Sequence, residues 1–275
     1  MRAALVTLVL GKIYIERFRR YCYANWKAYA DHHGIDLVIF TEPLDTSARA
    51  VTRSPAWQKC LALTAHRMKQ YTQVAWIDSD IIIRPDAPLV FEGVAIDQIA
   101  AVEDFVHPSP EEYKARLAYL EASWRRHNLP FVSALSQHEY YRAFGLPPAD
   151  RVAQTGVMVA SPESHSSLLR GVYDRYEDRG GAEYHYEMRP LSYEIVTSGN
   201  AVWLDPRFNV VTAFALDHSL LDDFLRPYRF HERITTKLNL ASFPRQHRLR
   251  NGYRALLRDS YFLHFAGRQA DMFLV

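Results

Sequence analysis

At 275 residues, with 48% hydrophobic and 23% charged side chains, the chain is long enough to bury a sizeable core and is neither disordered nor stapled by disulfides. A formal net charge of +2, from 33 Lys and Arg against 31 Asp and Glu, excludes the global basic field of a nucleic-acid binder. No segment reaches the roughly 20 apolar residues of a membrane-spanning helix, and Cys22 and Cys60, both in helical patterns, read as reduced thiols of a cytoplasmic protein.

Ala3 to Leu10 is apolar but too short to cross a bilayer, and no small-residue cleavage site follows it. It reads as a buried strand closed by Gly11. Tyr14 to His33 carries Phe18, Tyr21, Cys22, Trp26 and Tyr29 at helical spacing up to Gly34, and Asp36 to Thr41 is a second strand. This β-α-β opening predicts a doubly wound sheet with ligands at the carboxyl ends of its strands. Pro43 to Ser54 reads as polar loop, and Ser54-Pro55 as the cap and first turn of a helix to about Lys69.

The rest of the chain is arranged around Gln73 to Pro88, QVAWIDSDIIIRPDAP. Val74 to Ile77 has the character of a strand buried on both faces, and Pro85 and Pro88 stop the pattern. In extended backbone Asp78 and Asp80 project to the same side, which suits a hard divalent cation. Taken alone, Asp-x-Asp is more often a solvated acidic turn.

Asp97 to Val102 is a further strand, ending in Glu103 and Asp104. Glu111 to Asn128 is helical and Pro130 to Asp150 irregular; 107–150 reads as an insertion over the sheet edge with thin apolar content. Val152 to Ala160 is a strand containing Gln154-Thr155-Gly156, followed by a capped helix to about Asp178. Arg179 to Glu187 is a turn with Gly180-Gly181, Arg189 to Ser198 a helix, Ala201 to Leu204 a short strand and Asp205 to Val211 extended. Arg226 to Arg258 interleaves basic and aromatic residues, which fits an anionic partner, a membrane surface or a plain solvated face. Tyr261 to Gly267, YFLHFAG, is a strand ending in His264 and Gly267.

In order, NWKAYADHHGIDLVIF, SPAWQKCLAL, VAWIDSDIIIRPDAP, QTGVMVASPESH and LHFAG resemble the GT-A nucleotide-sugar glycosyltransferases. The resemblance is to the retaining families typified by the galactosyl/xylosyltransferases of family 34 and the glycogenin-like family 8. It spans most of the chain, leaving out 107–150 and the basic 218–258 region. It implies a single α/β domain over 1–275, with a Rossmann-like mixed, mostly parallel sheet flanked by helices and a helical insertion. It further implies metal-dependent transfer of a hexosyl or pentosyl unit, with retention. The donor is a nucleoside diphosphate sugar, a UDP-sugar first among them, and the acceptor a hydroxyl of a carbohydrate, glycolipid or small molecule.

By the same resemblance Asp80 is a metal ligand, Asp78 serves the metal or the ribose, and His264 is the third protein ligand. Two carboxylates with one imidazole tilt the choice from Mg2+ towards Mn2+. Lys59 is placed near the donor phosphates, Gly267 permits close backbone approach, and Arg268 stands in for a diphosphate-binding lysine. The family's HFxGxxKPW reads HFAGRQADMFLV here, without that lysine and Trp. Asp104, helped by Glu103, is assigned to donor-sugar hydroxyls, Thr7 and Tyr14 to the base, Gln154 to sugar or acceptor hydroxyls, and Glu187 to the reacting face. Peripheral membrane contact falls to the basic C-terminal region.

Two rivals stand beside this reading. A nucleotidyltransferase-like enzyme would want a glycine-rich phosphate loop where Leu10-Gly11-Lys12 has one glycine. A non-catalytic carbohydrate- or anionic-surface-binding module has no reason to bring Asp78, Asp80 and His264 together.

Overall fold

The computed structural model describes residues 2–126, 136–179, 186–226, 229–238 and 243–275. Among them, β1 (Ala3–Leu8), β2 (Asp36–Phe40), β3 (Gln73–Ile77), β5 (Ile99–Glu103), β6 (Ala153–Ala160) and β7 (Ala201–Leu204) form one sheet in the order β2-β1-β3-β6-β5-β7. The β1–β2, β1–β3 and β5–β7 pairs are parallel, and β6 runs antiparallel to both β3 and β5. The sheet is therefore mixed and mostly parallel, as expected. A smaller sheet holds β4 (Ile81–Ile83), β9 (Phe262–His264) and β8 (Val210–Val211).

The strands are hydrophobic at both parities because both faces of the large sheet are covered. Leu5, Ala75, Ile77, Ala100, Val157 and Val159 pack with Phe18 and Trp26 on one face. Val6, Val74, Trp76, Ala101, Met158 and Ala160 pack with Trp57, Leu63, Leu169 and Leu191 on the other. The small sheet joins the first cluster through Ile81, Val211, Phe262 and Leu263.

Several local expectations change. The helix read over Tyr14 to His33 breaks at Cys22 into Lys12–Tyr21 and Tyr23–His33. The second piece uses its polar atoms on β4: Trp26 Nε1 donates to the Ile81 carbonyl at 2.8 Å, and the Asn25 amide bonds both the N–H and the carbonyl of Ile83 at 2.8 and 2.7 Å. The helix read from Ser54 to Lys69 is three short pieces, Pro55–Gln58, Lys59–Ala62 and His66–Gln70. Trp57, Gln58, Lys59, Cys60 and Leu61 are all buried, so this segment lacks the polar face that a surface helix presents. The loop before it contains a helix, Ala48–Thr52, capped by the Ser47 hydroxyl.

The insertion is better packed than its composition implied. Tyr113, Leu117 and Leu120 of helix Pro110–Arg126 and Tyr140 and Tyr141 of helix Gln137–Arg142 are buried, and Tyr113 stacks on Phe214 at 4.8 Å. Asp205 to Val211 is a 3-10 turn, Pro206–Asn209, followed by β8. The basic region folds into helices His218–Leu225, Phe230–Lys237 and Pro244–Asp259, and part of its charge is used internally. Arg226 and Arg245 meet Glu232 at 2.9 and 3.3 Å, and Arg248 meets Asp223 at 2.7 Å. The Gly180-Gly181 turn lies outside the described residues.

Candidate metal centre and its cleft

The carboxyl ends of β1 and β3 and the start of the antiparallel β6 meet at one edge of the large sheet, where a cleft of about 490 Å³ opens. Its lining includes Tyr14, Lys59, Asp78, Asp80, Gln154, Glu187, His264 and Gly267. Asp78 and Asp80 converge here, but not as alternating residues of one strand. Asp78 follows β3, Ser79 and Asp80 form a turn, and the chain then enters β4 in the second sheet. Each acid is pinned by its backbone: Asp78 N–H donates to the Gly156 carbonyl and Phe265 N–H to the Asp80 carbonyl, both at 2.9 Å.

His264 lies opposite Ile81 in the antiparallel β4–β9 pair, which sets its ring beside Asp80. Nε2 is 3.2 Å from Asp80 Oδ1 and 3.9 Å from Asp78 Oδ2, and the three side chains offer ligand atoms all within 4.8 Å of one another. Burial works against a protonated His264 ring, but the Asp80 carboxylate outweighs it and raises the pKa above the ordinary histidine value. Burial likewise pushes Asp80 up, and the His264 charge with its hydrogen bond brings the net shift below the usual carboxylate range. Two hard carboxylate oxygens and one borderline imidazole nitrogen make a donor set that could hold a divalent metal ion.

The other half of the cleft floor is closed by Lys59. Lys59 is 4% exposed, and its ammonium lies 3.1 Å from Asp78 Oδ1 and 2.8 Å from Glu187 Oε1, with the Thr155 carbonyl at 3.2 Å. Burial pushes Lys59 down, but the two carboxylates outweigh it and hold it above its ordinary value. Trp76 Nε1 adds a 2.8 Å bond to Asp78 Oδ1. Glu187 is raised, mainly by burial and against the pull of Lys59, and its Oε2 has no hydrogen-bond partner among the described residues.

The structure thus brings Asp78, Asp80, His264, Lys59, Gln154, Glu187, Tyr14 and Gly267 to one cleft and leaves Asp104, Arg268 and Thr7 out of its lining. Asp104 lies with Glu103 and Tyr113 in a cavity of about 30 Å³ that also touches Gln154. Burial raises Asp104, against the Tyr113 hydroxyl and the Phe105 N–H that bond it. Arg268 bonds Asp271 at 3.1 Å and covers the Phe224 ring. Thr7 is fully buried within β1. Lys59 meets carboxylates where the resemblance implied phosphates.

Two parts of the site were not visible in the sequence. Between the pairs Ala101/Met158 and Val102/Gln154, β6 carries three residues that β5 does not match, so Thr155 and Gly156 leave β5 and face Lys59 and Asp78. Asn209, a lone Asn in a segment read as extended, accepts or donates at both the His264 ring and Gln154. Neither a bulge nor a lone Asn has a spacing signature.

No protein-family model and no curated protein sequence matches this chain. Among solved structures, a glycosyltransferase involved in glycosylation of the major capsid of PBCV-1 aligns over 100% of both chains with a TM-score of 0.52 and 15% identity. The WbbM bifunctional glycosyltransferase aligns over 99% of this chain and 49% of its own, at TM-score 0.43 and 14% identity. Galactosyltransferase LgtC, solved with donor and acceptor sugar analogs, aligns over 96% and 87%, at TM-score 0.41 and 11% identity. The first of these carries the comparison: the chain has the mixed α/β GT-A fold of that glycosyltransferase.

Proposed function

We propose that this chain is a metal-dependent glycosyltransferase that moves a hexosyl or pentosyl unit, with retention, from a nucleoside diphosphate sugar, first among them a UDP-sugar, to an acceptor hydroxyl. The observation that carries the reading is the Asp78, Asp80 and His264 cluster facing a roomy cleft at the strand-end edge of a GT-A sheet. We read 1–275 as one unit, supported by the shared packing of Leu5, Leu120 and Phe262 in one cluster.

A cation bound at this cluster, Mn2+ in preference to Mg2+, supplies Lewis-acid neutralisation of the leaving diphosphate. Tyr14, 48% exposed at the cleft, offers a ring face to the base. Gly267, at φ +69° with open space where a Cβ would point, lets backbone approach the phosphates closely. The unbonded Oε2 of Glu187 accepts a hydrogen bond from a sugar or acceptor hydroxyl entering the cleft. Asp104 takes part from the adjoining cavity, past Gln154, on hydroxyls that extend beyond the cleft.

A thermal-shift panel of UDP-, GDP-, ADP- and CMP-sugars with and without Mn2+ tests the reading. One nucleotide series should stabilise the protein only with metal, by about 2.7 kcal/mol at 100 times its Kd. Asp80→Ala should abolish that shift and donor hydrolysis; metal-independent turnover at the wild-type rate in this variant would sink the mechanism.

We place the protein in the cytoplasm with peripheral contact to anionic membrane. Phe230 and Ile234 are 79% and 45% exposed at four-residue spacing on one helix face, Leu238 just past its end is 61% exposed, and exposed Arg229 precedes them. No helix among the described residues is long and apolar enough to cross a membrane. Phe230→Ser/Ile234→Ser should end co-sedimentation with phosphatidylserine vesicles; equal sedimentation of variant and wild type removes this contact.

A further inference from the structure

Gly156 N–H is a backbone donor and carries no ambiguity: it points at a Gln154 side-chain atom 2.8 Å away, which must therefore be the carbonyl oxygen, Oε1. The same oxygen lies 3.0 Å from the Asn209 amide, so the atom Asn209 presents to it must be its NH2 group. The other end of that amide is then the carbonyl Oδ1, and it faces His264 Nδ1 at 2.9 Å. An oxygen acceptor there requires a proton on Nδ1. Nε2, the nitrogen that faces the Asp80 and Asp78 carboxylates, is then the one that can give up its proton to ligate a cation.

We propose that Gln154 and Asn209 are positioning residues that relay a backbone N–H to His264 and fix it as the Nδ1–H tautomer, with Nε2 ready to ligate a divalent cation. The inference rests on the reading of Asp78, Asp80 and His264 as a metal site. All four groups of the relay are buried: Gln154 at 9%, Asn209 at 5% and His264 at 4% exposure, with Gly156 in a fully buried strand. Water is therefore poorly placed to substitute for a missing partner, and each orientation is enforced by the next. Gly156 is the part of QTG that side-chain chemistry would overlook. A Cβ there would lie 2.8 Å from His264 Cε1, 2.9 Å from Nδ1 and 3.0 Å from Asn209 Nδ2, so only glycine both donates the N–H and leaves room for the ring and amide.

The test is the 15N spectrum of histidine-labelled protein loaded with Mg2+, read with a Mn2+ titration by EPR. Wild type should show Nδ1 protonated and Nε2 bare. Gln154→Leu removes the oxygen that orients the Asn209 amide, and should give a population with Nε2 protonated and weaken Mn2+ binding about 10–100-fold. Gln154→Glu keeps that oxygen and should retain both the tautomer and the affinity, which a general packing defect would not allow. A wild-type Mg2+-loaded spectrum with Nδ1 bare, which needs no variant to fold, overturns the relay, as does an unchanged tautomer in Gln154→Leu. A wild-type Nδ1–H tautomer with no Mn2+ binding overturns the metal reading alone.

Discussion

Asp78 and Glu187 share one buried ammonium at 3.1 and 2.8 Å, whereas Asp80, 9% exposed, faces an imidazole at 3.2 Å. Both halves of the cleft floor hold acids away from bulk water, yet they are compensated differently. Lysine keeps its proton when flanked by two carboxylates, so the first half is closed by the protein itself. Histidine loses its proton much more readily, so the second half can give up that proton and take a divalent cation in its place. Asp78 belongs to both: one oxygen is tied to Lys59 and Trp76, and the other looks towards His264. The fixed half thereby holds a candidate ligand of the other half in place.

The largest effect should come from Lys59→Met, which leaves Glu187 buried with no counter-ion and Asp78 short of one. A loss of about 3–5 kcal/mol is expected for breaking a buried pair from one side. Adding Glu187→Gln should recover a large part of it. Urea denaturation of the single and double variants measures both numbers. A loss below about 1 kcal/mol, the value of a surface pair, would mean that Lys59 does not close this half.

Gly156→Ala strikes the exchangeable half. The new methyl meets the His264 ring inside the contact distance that real Cβ atoms show, so we expect about 1–3 kcal/mol of overpacking. Mn2+ affinity should fall with it, since the ring must shift. The three atoms nearest the new methyl belong to His264 and Asn209 and none to the Lys59 pair, which should be spared. A variant with weakened stability but wild-type Mn2+ binding would show that the ring has room to move.

Asp104 sharpens the contrast from outside the cleft, where an acid is bonded by Tyr113 and the Phe105 N–H with no cation among the described residues acting on it. Its folded pKa is raised above the unfolded value, so its contribution to stability is greatest in acid and is lost as pH rises through the folded pKa. Asp104→Asn keeps an amide able to bond Tyr113 and removes this dependence. Wild type should therefore lose stability relative to the variant as pH rises from about 4 towards 7, a small drift followed by thermal melts. Parallel curves for the two proteins would mean that the acid is solvated.

The fold was legible in strand composition. Runs apolar at both parities, at Ala3 to Leu10 and Val74 to Ile77, declare strands covered on both faces, and a β-α-β start sets most of their directions. What composition could not give was the reversed direction of β6 or its three-residue bulge, because both are decided by which neighbour a strand pairs with. The insertion was underestimated for a related reason. Tyr113, Tyr140 and Tyr141 count as polar-tipped aromatics in a sequence, but their rings fill a core once Phe105, Val152 and Phe214 surround them.

At the site, the sequence by itself determined the ligand types: an Asp-x-Asp at the end of a buried strand and a histidine at the end of another, both products of short-range pattern. Only the tertiary structure decided how they act. A turn between two sheets, rather than strand alternation, brings Asp78 and Asp80 together, and cross-strand pairing with Ile81 delivers His264. Burial assigns Lys59 to carboxylates and leaves Glu187 with a spare oxygen. Asn209, 55 residues from both His264 and Gln154, acquires meaning only through them. The physical reason is range: periodicity records which face a residue shows its own element, while hydrogen-bond partners and desolvation are set by elements that meet only after the chain has folded.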